Sequence, residues 1–99
     1  MPMISINPAT GRELASYEET DDATVERRLR LGSRAQAEFA AAGLDERTGI
    51  LRRTGDLLIS RAAELARLMT LEMGKPIGAA EAEVRKCAWA CRWYADNAA

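Results

Sequence analysis

Cys87 and Cys91 are the strongest nucleophiles this sequence offers, and they lie four residues apart in a chain without a histidine. A thiolate nucleophile needs a base, a cationic neighbour or a helix N-terminus to draw its proton away. The surrounding stretch, "VRKCAWACRW", places both thiols in mid-helix among Ala and Trp, which predicts reduced cysteines packed as small apolar side chains. Structural zinc takes four Cys or His ligands, so two thiols make no metal site. Two cysteines four apart on one helix also hold their Cβ vectors poorly for a disulfide.

The charged residues point no more strongly to chemistry. Glu81 and Glu83 followed by Arg85 and Lys86 run acid first and base later along one helix, the order that the helix dipole favours. Glu72 sits at the C-terminal end of a helical run, where the dipole repels a carboxylate, so a cation is expected beside it, Lys75 or an arginine of another helix. Arg47, Arg52 and Arg53 form a polar helix face, read as solvated or paired with carboxylates. No phosphate-cradling loop is present: "MGKP" has one glycine, and "GLDERTG" spaces its two badly and follows no strand. These residues support no catalytic, cofactor-binding or metal-binding assignment.

The elements that carry these residues are mainly helical. "MISIN" alternates, with Ile4 and Ile6 on one face, and "RELASY" can answer it with Leu14 and Ser16 across the turn formers "PATG". This predicts a β-hairpin over 3–17. A lone hairpin is marginal in water, so it must pack on the helices or add to a sheet outside this chain. From "TDDATVE" the apolar period lengthens, with Asp21 or Asp22 as N-cap and Val25, Leu29, Gly32, Gln36 and Phe39 in one stripe; a helix over about 22–41 follows, with Gly43 as its left-handed C-cap. A second helical run covers about 46–73, with Asp45 as N-cap and a break or kink near Ser60 left open. Gly74 stops it, and Pro76 suits the first turn of a last helix over 76–97. That helix has a small-residue stripe, Val84, Cys87, Ala88, Cys91 and Ala95, and a second apolar stripe at Trp89 and Trp93. No element follows to cover the tryptophans, so the expectation is a fraying end or a protein that continues.

Size and charge narrow the classes. Ninety-nine residues hold one domain at most, with 14 basic against 15 acidic side chains and a net charge of −1. That balance argues against nucleic-acid or anionic-membrane partners, which select a concentrated basic excess. No apolar run reaches the roughly 20 residues that span a bilayer, and "MPMISINPATGR" has neither the basic start nor the apolar centre of a signal peptide. A cytoplasmic location is expected.

Taken in order, "ISINPATGREL", "RTGILRRTGDLL", "LARLMTLEMGKPIGAAEAEV" and "WYADNA" resemble the N-terminal part of the aldehyde dehydrogenase superfamily, most closely its NAD(P)-dependent succinate-semialdehyde dehydrogenase branch. The resemblance runs from about Ile4 to Ala98. It implies an N-terminal piece of a longer α/β enzyme, a partial cofactor-domain segment spanning 1–99. Such an enzyme oxidises an aldehyde to the acid through a cysteine thiolate, a glutamate that activates water, and NAD or NADP. Cys87 and Cys91 do not match the family's catalytic setting of glycine, glutamine, any residue and cysteine, so no catalytic residue and no cofactor is expected for this chain alone. The resemblance also implies that the helix after "LEMGKP" passes near the substrate entrance, with Glu83, Lys86 or Cys87 able to face it. The alternative reading is a stand-alone helical interaction module derived from that enzyme, whose partners are further copies of itself or full-length dehydrogenase subunits.

Overall fold

The computed structural model describes all 99 residues and is mainly helical behind an N-terminal hairpin. Strands β1 (Met3–Ile6) and β2 (Glu13–Tyr17) pair antiparallel. Their turn is closed by three bonds: Asn7 N–H donates to the Arg12 carbonyl at 2.9 Å, Gly11 N–H to the Asn7 carbonyl at 2.8 Å, and Ala9 N–H to the Asn7 side chain at 2.9 Å. Ile4 faces Ser16, but a bulge between Ser5 and Ile6 sets Ile6 opposite Glu13 rather than Leu14. Alternation alone does not reveal an inserted residue of this kind.

Helix α1 (Asp22–Ala41) starts at Asp21, whose extended backbone and side-chain bond from Thr24 N–H at 2.6 Å make it the N-cap. That bond to the charged carboxylate is the largest cause holding the Asp21 carboxyl below its ordinary value of 3.8. A folded-state value below the unfolded one means that the cap's contribution is complete above pH 3.8 and is lost as pH falls through the depressed value. The first turn of α1 is therefore expected to fray in that acid range, read by residue-resolved amide exchange. The dependence should flatten in Asp21→Asn, whose amide caps without titrating.

Two boundary expectations fail at the next junction. Gly43 is not a left-handed C-cap; Ala42 ends α1 in an extended conformation, and Gly43, at φ −61°, is the N-cap of α2 (Leu44–Ser60). Asp45 consequently lies in the first turn with Glu46, where both oppose the positive end of the helix dipole without capping it. The break near residue 60 is real: Arg61, at φ −105° and ψ 15°, separates α2 from α3 (Ala62–Met73). Arg61 grips Glu64 through two bonds of 3.0 and 2.7 Å, while the Ser60 hydroxyl donates to the Leu57 carbonyl at 3.1 Å. Helix α4 (Ile77–Asn97) begins one residue after Pro76, which holds the N-cap position rather than the first turn.

The core lies where α4 crosses α2 and α3. Ala62, Ala66, Ala80 and Val84 are buried together, with Leu58, Leu65 and Met69 half-buried against them, and Ala88 and Ala95 extend the inner stripe of α4. Small residues on both sides bring the backbones close: a Cβ added to Gly55 of α2 would stand 3.2 Å from the Ala88 carbonyl oxygen and 3.5 Å from Cys91 Cβ. The expected stripe is corrected at the thiols. Cys91 is half-buried at this seam, whereas Cys87 is exposed, one helical position too far round to reach α2 or α3.

Helix α1 buries none of its residues, and Val25, Leu29 and Phe39 of its expected inner stripe are exposed. Amphipathicity marks a face that wants cover; it does not supply the cover. The whole measures 47 × 40 × 16 Å with a radius of gyration of 17.5 Å, against about 13 Å for a compact domain of this length. The molecule is thus flat and extended rather than closed around one core, as stable domains of packed layers are.

Candidate functional site

The junction between α3 and α4 gathers the residues with the most chemical interest. Gly74 closes α3 in the left-handed conformation, φ +73°, and its N–H donates to the Thr70 carbonyl at 3.0 Å. Pro8 from the hairpin turn seats on it, so close that a Cβ at Gly74 would lie 3.2 Å from Pro8 Cγ. Beside this contact the Ser5 hydroxyl donates to Glu72 Oε1 at 2.9 Å. Glu72 thus takes a neutral donor from the hairpin, not the cation expected for it. The sequence held a signal for this: Ser5 alternates with Ile4 and Ile6 and so faces the other way, towards α3.

Lys75, freed from Glu72, reaches forward and pairs with Glu83 of α4. Around that pair lies an open groove of about 560 Å³ lined by Lys75, Ala82, Glu83, Lys86, Cys87 and Ala90. The three residues proposed from the resemblance, Glu83, Lys86 and Cys87, are therefore brought together on one side of α4. Lys75 neutralises Glu83, and Lys86 forms no ion pair, so the groove carries one net positive charge.

The chemistry available there is limited. Cys87 presents its thiol to the groove, but Glu83 is engaged with Lys75 and the chain holds no histidine, so no free base stands ready to take the thiol proton. With one net positive charge, the arrangement can attract and orient an anion weakly. No three His, Cys, Asp or Glu side chains converge as metal ligands. The residues present do not fit a nicotinamide dinucleotide either, since the sheet is a two-stranded antiparallel hairpin, and that cofactor's pyrophosphate sits on a Gly-rich turn between a parallel strand and a helix.

The arginine face divides. Arg52 pairs with Asp96, and Arg92 of α4 returns a bond to Asp56 of α2 at 2.9 Å. Both bridges are exposed and tie α2 to α4 weakly. The Arg47 Nε and Thr70 Oγ1 atoms are buried without a hydrogen-bond partner.

Gly74 gives the sharpest local test of this junction. A side chain there meets both the positive φ, worth about 1–2 kcal/mol for a residue with a Cβ, and Pro8. Gly74→Ala is expected to lower stability by roughly that amount and to loosen the hairpin, measured as a drop in denaturant midpoint together with faster amide exchange in β1.

No helix is long and apolar enough to cross a membrane. Residues 2–99 match the model of the Aldehyde dehydrogenase family. The chain is 39% identical over 98 residues to succinate-semialdehyde dehydrogenase [NADP(+)] 1 of Mycobacterium tuberculosis, covering 99% of this chain and 21% of that enzyme. It is 40% identical over 94 residues to the succinate semialdehyde dehydrogenase [NAD(P)+] of Escherichia coli, covering 95% and 20% respectively. Among solved structures it superposes on an aldehyde dehydrogenase of Brucella melitensis biovar abortus with a TM-score of 0.91, at 34% identity, covering 99% of this chain and 20% of that one. On a succinate-semialdehyde dehydrogenase of Burkholderia pseudomallei the TM-score is 0.88, at 31% identity, covering 97% and 20%. The chain spans about a fifth of the length of the curated relatives it matches.

Proposed function

The chain belongs to the aldehyde dehydrogenase family, and from that premise we propose that it is the N-terminal segment of an enzyme that oxidises succinate semialdehyde, or a related aldehyde, to the carboxylic acid with NAD or NADP. The observation that carries this reading is identity of 39–42% to succinate-semialdehyde dehydrogenases along nearly the whole chain. The segment acts there as scaffold: the hairpin, through Ser5 and Pro8, fixes the start of α4, and α4 presents Glu83, Lys86 and Cys87 along one side. It is inactive alone, because its one exposed thiol has no base and its two-stranded antiparallel hairpin has no Gly-rich strand-to-helix turn for a dinucleotide. NAD or NADP would supply hydride acceptance in the longer enzyme, on residues outside this segment. A cytoplasmic location fits the two unpaired cysteines, since reducing compartments keep thiols free.

Two proteins test this: the 99-residue chain, and the same chain fused to the remaining four fifths of the Escherichia coli relative. Each is assayed for nicotinamide reduction with succinate semialdehyde. The fusion is expected to turn over and the chain alone is not. Turnover by the chain alone would overturn the claim of inactivity; a folded fusion without turnover would overturn the catalytic reading.

A further inference from the structure

The charges of the groove beside the α3–α4 junction are unequal in a way that suits one kind of guest. Lys75 and Glu83 pair and cancel. Lys86 is the cation of the lining left without an ionic partner. It stands three residues beyond Glu83 on α4, a spacing at which helical side chains meet, so Glu83 is its natural partner. The bond from Lys75 occupies that carboxylate instead. The rest of the lining, Ala82, Cys87 and Ala90, is methyl and thiol surface.

A lone cation beside an apolar wall fits a small molecule with one anionic end and a short apolar stem. Succinate semialdehyde has that form: a carboxylate, two methylenes and the aldehyde. Butanal, its neutral counterpart of equal chain length, could use the wall but not the charge.

We propose that Lys86 is a specificity-determining residue: it draws the carboxylate end of the substrate to this groove and so favours aldehyde acids over neutral aldehydes, while Lys75 keeps Glu83 from competing for it. The substrate assignment rests on the catalytic reading above, but the preference for carboxylates belongs to the groove of the 99-residue chain itself. An ion pair to the end remote from the aldehyde is the same in the ground state and the transition state. Its effect therefore falls on KM rather than kcat.

The three charges make the expectation one of sign. Lys86→Gln takes the groove from one net positive charge to none, and Glu83→Gln takes it to two. Lys75→Gln also leaves none and frees Glu83 to hold Lys86. A loss of structure would not raise the preference in one variant and lower it in the other two.

Two alkylating reagents of nearly equal size, anionic iodoacetate and neutral iodoacetamide, read the groove of the 99-residue chain at the exposed Cys87. Cys91, half-buried at the seam, is replaced by alanine so that one thiol reports. Both reagents meet the same thiol, so the ratio of their rates measures the field on the incoming carboxylate and cancels changes in the thiol itself. Lys86→Gln and Lys75→Gln are expected to lower the iodoacetate-to-iodoacetamide ratio about two- to fivefold, the worth of one exposed ion pair. Glu83→Gln is expected to raise it, and high salt to bring the variants together. In the fusion with the Escherichia coli body, kcat/KM for succinate semialdehyde relative to butanal should fall with Lys86→Gln and rise with Glu83→Gln. A fusion that turns over with the same substrate preference in Lys86→Gln would overturn the proposal and leave the catalytic reading standing. So would a Cys87 rate ratio indifferent to all three charges. A folded fusion without turnover, beside a Cys87 ratio that moves as expected, supports the groove's preference and counts against the catalytic reading alone.

Discussion

Val84→Asp is expected to abolish the cooperative melting of the α2–α3–α4 unit. Val84 is 3% exposed, and its neighbours Ala66 and Ala80 are fully buried. A carboxylate placed there loses its water and gains no cation, a penalty of several kcal/mol for one unpaired buried charge. A whole domain is stable by only about 5–15 kcal/mol, and this core is far smaller than a typical one. Val84→Ala separates packing from charge, since removing two buried methyl groups costs about 1.5–2 kcal/mol with a small cavity. Thermal melts followed by circular dichroism should lose the transition in the aspartate variant and merely shift it in the alanine variant. An aspartate variant that melted like the parent would mean that α4 does not pack as described.

Gly55→Leu ranks next. The Gly55 position faces the Ala88 carbonyl, and a backbone oxygen cannot rotate out of the way as a side chain can. Gly55→Ala sets two effects of similar size against each other: a gain of up to about 1 kcal/mol in helix propensity, and a 3.2 Å contact that obliges α4 to shift by tenths of an ångström. A near-zero net change is expected. Leucine keeps the propensity gain but drives three more carbons into the seam, where overpacking costs about 1–3 kcal/mol. It should also part Arg92 from Asp56 and Arg52 from Asp96, the bridges that flank the same seam. Denaturant midpoints of the two variants measure the difference; equal midpoints would place Gly55 outside the helix contact.

What the sequence made legible follows from which forces are local. Period-two and period-3.6 patterns, the Asp21 cap and the glycine stop at Gly74 are decided within a few residues, and each is visible as a string of letters. The misplacements occurred where a residue had two locally acceptable roles. Gly43 suits a left-handed C-cap and an extended N-cap equally, and the two-residue link from α1 to α2 selects the second. Asp45 can cap a helix or sit in its first turn, and the earlier start at Leu44 leaves it the latter. Glu72 was legible as a group in need of a partner, but the partner, Ser5, lies 67 residues away, beyond the reach of any local pattern. Cys87 lies one helical position outside the buried stripe, a difference too small for the periodicity to resolve. The candidate groove is not legible from the residues themselves: Glu83, Lys86 and Cys87 come from the resemblance, and Lys75 joins them through its ion pair with Glu83. Cover for α1 and for the tryptophan side could not be read from sequence, because a moment says that a face is apolar and nothing about what meets it.

These 99 residues form an extended plate of 47 × 40 × 16 Å, not a closed globule. Small-angle scattering on the monomer at low concentration tests it most directly. A radius of gyration of 17.5 Å or more is expected, with α1 standing clear of the α2–α3–α4 unit and the hairpin touching it only at the α3–α4 junction. A monomer of about 13 Å, the value for a compact domain of this length, would mean that the chain folds its apolar faces onto itself and would contradict the account.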